Sequence, residues 1–341
     1  MKKLFLLLGL LIYSLLTSIP GFSQFSASEA KNNYKNSKAS ERGLDRYRRY
    51  TSIGGSLNAF NYYGDLAPWQ GKLSTDISYT RPGIGFVAMR RVAPRISLRG
   101  TYTFGRLRAD DFSADYTVES SRYRYRRNLH FRSDIHEFGF TGIFDFIKNR
   151  NDFDQRPLLV PYAFVGIAIF HHNPKAQIPV FSVDEKPEWI ALQPLQTEGV
   201  HYSRVQFATP IGVGARLKLH SRLDLSLEVG LRQLYTDYID DASTGYLDPA
   251  MYKSEVSYLM AARAAEPIAA AERKQRDAAN VAHAQNFIPY VSIDGNTYAV
   301  SPVNAPGARR GNPNDNDIYV VTSLQLTYVI LPKMYRAKHR I

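Results

Sequence analysis

The chain of 341 residues contains no cysteine. Disulfide staples, thiolate metal sites and cysteine nucleophiles are therefore excluded. After residue 24 there is also no run apolar enough to cross a bilayer as a helix, which takes about 20 residues. A membrane protein built from this chain must cross as a closed barrel, because lipid satisfies no backbone polar group. Acidic residues are the minority, 31 Asp and Glu against 43 Lys and Arg, giving a net charge of +12. Nucleic acid is the usual partner of so basic a chain, but the export signal at the start argues against it. Acidic lipid headgroups or acidic proteins fit better. Tryptophan is scarce at 2, yet 23 Tyr and 18 Phe supply what aromatic girdles require.

The first residues read as a signal peptide over 1–23. Lys2 and Lys3 form its basic start, Leu4 to Leu16 its apolar core, and Gly21 and Ser23 the small residues before cleavage. Residues 24–50 are a polar, basic arm with little periodicity.

From residue 51 the pattern changes to period 2. Leu223, Leu225, Leu227, Val229 and Leu231 share one face, and Asp224, Ser226, Glu228, Gly230 and Arg232 the other. The same alternation recurs from Ile53, from Ile96, from Ile211 and from Thr322. Strands of roughly ten residues with one apolar and one polar face suit a membrane barrel, although a β-sandwich alternates in the same way. Eight strands are predicted, at about 51–60, 83–92, 96–107, 129–146, 159–170, 204–219, 223–232 and 318–330. In the fourth, Phe131 and Ile135 differ in parity from Phe138, Phe140, Phe144 and Phe146, so a β-bulge near His136 is expected. Short turns alternate with long loops, which separates a barrel from a sandwich and puts the termini with the short, periplasmic turns. The expected fold is all-β: an eight-stranded antiparallel transmembrane barrel over 51–330. Its long loop, about 237–317, carries helices at Pro249–Ala265 and Pro267–Ala284, each with a proline near its start. A basic tail follows over 331–341.

A barrel of eight strands is just wide enough for side chains to fill it. Arg99, Glu137, Arg216, Glu228 and Arg232 should point inward, pair and plug the lumen of a monomeric barrel.

Several segments resemble, in order, the PorG-like outer-membrane barrel proteins of the type IX secretion system. They include YYGDL (Tyr62 to Leu66), LRADD (Leu107 to Asp111), RNLHFRSDIHEF (Arg127 to Phe138), TPIGVGAR (Thr209 to Arg216) and EVGLRQLYTDYIDDAS (Glu228 to Ser243). The shared loop residues are Gly64, Asp65, Asp110, Asp111, Thr236, Asp237, Tyr238, Asp240 and Asp241. The resemblance implies a non-enzymatic component in the outer membrane of Bacteroidetes-type bacteria. Its partners would be outer-membrane lipid and the periplasmic ring proteins or lipoproteins of the secretion machine, with no cofactor.

Other chemistry is weaker. Asp110, Asp111, Asp237, Asp240 and Asp241 have the oxygens calcium needs, but acidic loop residues more often cap turns and pair with arginine. His171-His172 lacks further zinc ligands at regular spacing. His130, Ser133, Asp134 and His136 are the residue types of a hydrolase, without a nucleophile elbow. The alternatives to a secretion component are thus a small lipid or peptide hydrolase and a passive structural or adhesion barrel. The basic ends, including Arg46, Arg48, Arg49, Arg336 and Lys338, suit a periplasmic docking surface for an acidic partner.

Overall fold

The computed structural model describes residues 50–66, 79–149, 155–179 and 188–330. Where the alternation persists, strands form. In chain order they are β1 (Thr51–Tyr63), β2 (Arg81–Arg91), β3 (Ile96–Asp110), β4 (His130–Asp145), β5 (Leu159–His171), β6 (Pro174–Gln177), β7 (Trp189–Ala191), β8 (Val205–His220), β9 (Leu223–Leu234), β10 (Ile288–Val291), β11 (Thr297–Val300) and β12 (Ile318–Ile330). Eight of them pair antiparallel in the order β3-β2-β1-β12-β9-β8-β5-β4, and β4 returns to β3. The ladder is closed, so no barrel edge is left unpaired. The short strands β6 and β7 extend β4 above the barrel, and β10 and β11 form a separate hairpin.

The polarity is inside out relative to a water-soluble barrel. Leu57, Ile84, Phe86, Phe138, Ile167 and Phe207 are exposed on the outer wall. On the inner wall Asn58, Arg99, Glu137, Arg216 and Glu228 are buried. Arg90 is exposed and its neighbour Arg91 buried, as strand alternation demands. The ladder between β5 and β8 stops at Val165↔Ile211 and resumes at Ala168↔Ala208. Pro210 lies in that gap and has no N–H to offer.

Two expectations fail. No bulge interrupts β4: its register with β3 is continuous from Ile96↔Phe144 to Asp110↔His130. Phe131 and Ile135 keep the inward parity of Glu137 because that end of the interior is apolar, so no phase correction is needed. The two long helices of the 237–317 loop are also absent. The segment instead holds α2 (Glu255–Ala261) and α3 (Ala278–Gln285), after an earlier helix α1 (Glu119–Arg127) between β3 and β4. Alanine propensity favours helix over 262–277, but tertiary contacts win. Arg263 pairs with Glu266, and Arg276 donates to the carbonyls of Ala264, Glu266 and Tyr125. Ser254 and Asp277 cap the two helices, so their starts lie past Pro249 and Pro267.

Candidate functional site

The barrel interior is built in tiers. At the short-turn end, Asp145 lies between Arg91 at 3.6 Å and Arg216 at 3.5 Å. Beside it Arg156, from the β4–β5 turn, donates to Asp224 at 2.6 Å and to the carbonyl of Ser221 at 2.6 Å. In the middle, Arg99 pairs with Glu228, which also accepts from the Tyr162 hydroxyl at 2.6 Å. Arg99 stacks on Phe164 and donates to Thr141. Above them Arg232 and Glu137 pair at 3.3 Å, and Tyr319 donates to Glu137. The space left among Asn58, Arg99, Glu137, Glu228 and Arg232 is about 20 Å³. That holds a water molecule and no solute. Strand parity forces this arrangement, because each of these residues shares its inward face with others two positions apart.

Beyond the ions the interior turns apolar. Phe60, Tyr62, Leu107, Phe131, Ile135, Phe170, Leu234 and Tyr319 form one buried cluster, with Ile239 and Ala242 from the loop packed on it. The long loops thus contribute to the core instead of only joining strands.

Over this core sits a polar cap. Arg127 makes a two-pronged contact with Asp111, at 2.7 Å through both Nε and Nη2, and donates to the backbone carbonyls of Asp65 and Arg310. Arg310 pairs with Glu198 at 2.8 Å and Asp241 at 3.4 Å. Burial lifts the Asp241 carboxyl to about 6, against the pull of Arg310, Thr197 and Tyr202. Asp110 accepts from the Phe112 amide, and Thr236 from the Tyr238 amide. Tyr238 stacks on Tyr202 with ring centres 4.8 Å apart. Gly64 is required by close approach: a Cβ there would run into the Tyr62 hydroxyl and the Asp317 carboxylate.

The structure therefore buries Arg99, Glu137, Arg216, Glu228 and Arg232 together in the lumen, in three separate pairings. It gathers Gly64, Asp65, Asp110, Asp111, Thr236, Asp237, Tyr238, Asp240 and Asp241 into the cap. Among the described residues no three acidic or histidine side chains converge as a metal would require. The hydrolase residues are not brought together either. Ser133 faces inward and accepts from the Asn173 amide, while His136 faces outward against Tyr102. Asp134 is held by Arg106, and His130 accepts from the Gln177 amide. Arg46, Arg48, Arg49, Arg336 and Lys338 lie outside the described residues, as do the signal peptide and the basic tail.

Several participants are not singled out as partners by the sequence pattern. Asp145 and Asp224 share inward parity with Glu137 and Glu228, and that parity was the signal for them. Glu198, Arg310 and Asp317 stand in loops, where no period marks them.

A family described as "Domain of unknown function (DUF6089)" matches residues 47–250. The chain belongs to this family. The DUF6089 segment holds seven of the eight barrel strands; only β12 and most of the last loop lie beyond it. No curated protein sequence matches the chain. The structure is similar to OprG from Pseudomonas aeruginosa, at 9% identity and a TM-score of 0.36, covering 85% of this chain and 99% of that one. It is also similar to Ail of Yersinia pestis, at 8% identity and a TM-score of 0.32, covering 83% and 97%. A third likeness is to a major outer membrane protein from Thermus thermophilus, at 11% identity and a TM-score of 0.34, covering 82% and 99%. The architecture of this DUF6089 chain rests on its own closed ladder, not on these likenesses.

Proposed function

We propose that this chain is a non-enzymatic barrel of the Gram-negative outer membrane that anchors a periplasmic ring complex of a type IX-like secretion machine. The observation that carries the reading is the filled lumen inside an apolar outer wall. The space among the central ions is about 20 Å³, and paired and apolar side chains fill the tiers on either side, so in this reading the barrel works by what it presents at its two ends. The apolar wall needs lipid around it. The short-turn end faces the periplasm, as in other outer-membrane barrels, and the chain termini emerge there. The PorG-like motifs, from YYGDL to TDYIDD, supply the link to secretion.

In this reading the basic arm and tail meet an acidic ring protein or lipoprotein. Exposed charges steer such an encounter and add little affinity singly. The test is a pull-down of the full chain from detergent at low and high salt, beside a variant with Arg46, Arg48, Arg49, Arg336 and Lys338 reversed to glutamate. The periplasmic partner should be released by salt and by the reversal, with the barrel still folded and heat-modifiable. Retention of the partner and of secretion by the reversed variant defeats the docking claim.

A second reading, a surface-binding barrel, is favoured by one observation. The β10–β11 hairpin exposes Ile288, Val291 and Ile293 at the long-loop end. Deleting the hairpin separates the two: an adhesion barrel loses its function, and a ring anchor keeps secreting.

A further inference from the structure

We propose that the long-loop cap is a proton-held lock, in which protons shared among Asp65, Asp237, Asp240 and Asp317 around Tyr62 keep it closed and are released when it opens. The geometry begins with the Tyr62 hydroxyl. It lies 2.6 Å from Oδ2 of Asp240 and 2.7 Å from Oδ1 of Asp317, and all three residues are buried. A phenol has one proton to donate. Whichever carboxyl receives it, the other approaches the phenol oxygen at hydrogen-bond distance and must bring a proton of its own. One of the pair is therefore a neutral acid in the closed cap.

The surroundings point the same way. Asp237 is only 7% exposed, and neither of its buried carboxylate oxygens has an aligned hydrogen-bond partner. Ser243 lies near enough to moderate its acidity, and burial still pushes it up to about 8. Burial likewise raises Asp240 and Asp317 well above the usual carboxylate range, with the charge of Asp65 adding to the first and that of Asp240 to the second. Burial raises Asp65 too. Of the cations facing the cluster, Arg124 lies beside Asp65, and Arg127 and Arg309 pull Asp65 down without outweighing its burial. Arg127 is committed to Asp111, and Arg310 to Glu198 and Asp241. Arg309 donates to the carbonyl of Gly311. Glu198 and Asp315 add negative charge toward Asp237. Among the described residues none of the four carboxyls makes an ion pair.

The cluster ties separate loop segments together. Asp317 accepts from the amide of Ile239 at 3.2 Å and Asp65 from that of Asn312 at 2.6 Å, while Asp240 holds its own turn by accepting from Ala242 at 3.0 Å. Raised acid pKa values mean that the closed form binds more protons than the open one. Closure is then firmest in acid and weakens as pH rises from the ordinary carboxylate range through the raised values, up to about 8 for Asp237.

The test is amide exchange of residues 236–246 and 311–318 in the full chain in lipid vesicles. It runs from about pH 5 to about pH 9 and is corrected for the intrinsic pH dependence of exchange. Cap protection should fall about tenfold per pH unit for each proton released, while barrel strands hold theirs. Asp240→Asn and Asp317→Asn each mimic the neutral acid, so either should flatten the profile and be better protected than wild type at high pH. A flat wild-type profile overturns the proposal, as do Asn variants that keep the wild-type slope or both fail to fold. Restoration of low-pH protection by millimolar calcium chloride at high pH also overturns it, because a cation would then be the occupant.

Discussion

From the short-turn end to the middle of the barrel, Asp145, Asp224 and Glu228 meet arginines across a polar lumen. Toward the long-loop end of the barrel, Phe131, Ile135, Phe170 and Leu234 pack into an apolar core closed over by loops. The lower half is barrel wall and ions. The upper half resembles the interior of a water-soluble domain, with helix caps, aromatic stacking and a buried two-pronged arginine. The difference teaches where stability is concentrated. In the lower half the backbone ladder closes the structure and the ions fill space. In the upper half the loops hold only if their own buried contacts are complete.

The largest expected effect lies in the cap. Arg127→Met leaves Asp111 buried without its partner and strips the carbonyls of Asp65 and Arg310 of a donor. Breaking a buried pair from one side costs about 3–5 kcal/mol. Equilibrium urea unfolding in lipid vesicles should show this loss, together with protease cleavage of the long loops while the barrel stays heat-modifiable. A barrel that unfolds along with its cap would mean that the two halves are one cooperative unit.

Next comes the apolar tier. Phe131→Ala empties a fully buried site, at about 3 kcal/mol or somewhat more. The same truncation at Phe138, 59% exposed on the outer wall, should cost far less in detergent. Similar costs at both positions would contradict the inward assignment of Phe131 and bring back a bulge in β4.

The lumen should be more forgiving. Glu228→Gln keeps an acceptor for Arg99 and Tyr162, so its expected cost is about 1–3 kcal/mol. Replacing Arg99 and Glu228 together with methionine should restore much of that, because paired charges rarely outperform good apolar packing. Planar-bilayer recording of wild type should give no porin-sized conductance. Steady channels in wild type would break the contrast between a filled lower half and a sealed upper half.

How far the sequence discloses this contrast follows from the same physics. Alternation is readable where the two faces of a strand differ in polarity, as in Leu223–Leu234, and there the inward charges and the strand ends come out close to the structure. It misleads where both faces are apolar. Phe131 and Ile135 look out of phase only because the interior above Glu137 is oily. The DYIDD stretch announces a loop with many acids, but not that Asp240 shares Tyr62 with Asp317, 77 residues further along. Contacts of that kind leave no period. The alanine-rich 262–277 segment fails for a related reason: local propensity is small beside the buried bonds of Arg263 and Arg276.

The smallest effect is the most useful for drawing the boundary between the halves and their surroundings. Arg106 and Asp134 face each other across β3 and β4 on the outer wall, 2.6 Å apart, with side chains 43% and 33% exposed. In water such a pair is screened and each side chain is held at an entropic cost, so a double-mutant cycle should give a coupling of about 0–1 kcal/mol. That coupling should shrink further in high salt, since the screening length falls to about 3 Å at 1 M. The buried Arg127–Asp111 pair lies only a few residues beyond and should show a larger coupling that salt hardly touches. If the outer pair instead behaves like the buried one, indifferent to salt, then water does not reach it. The lipid-covered belt would then extend past Arg106 toward the cap, and the long loops would emerge directly at the headgroups. Measuring both cycles in the same vesicles places that edge to within one turn of the ladder.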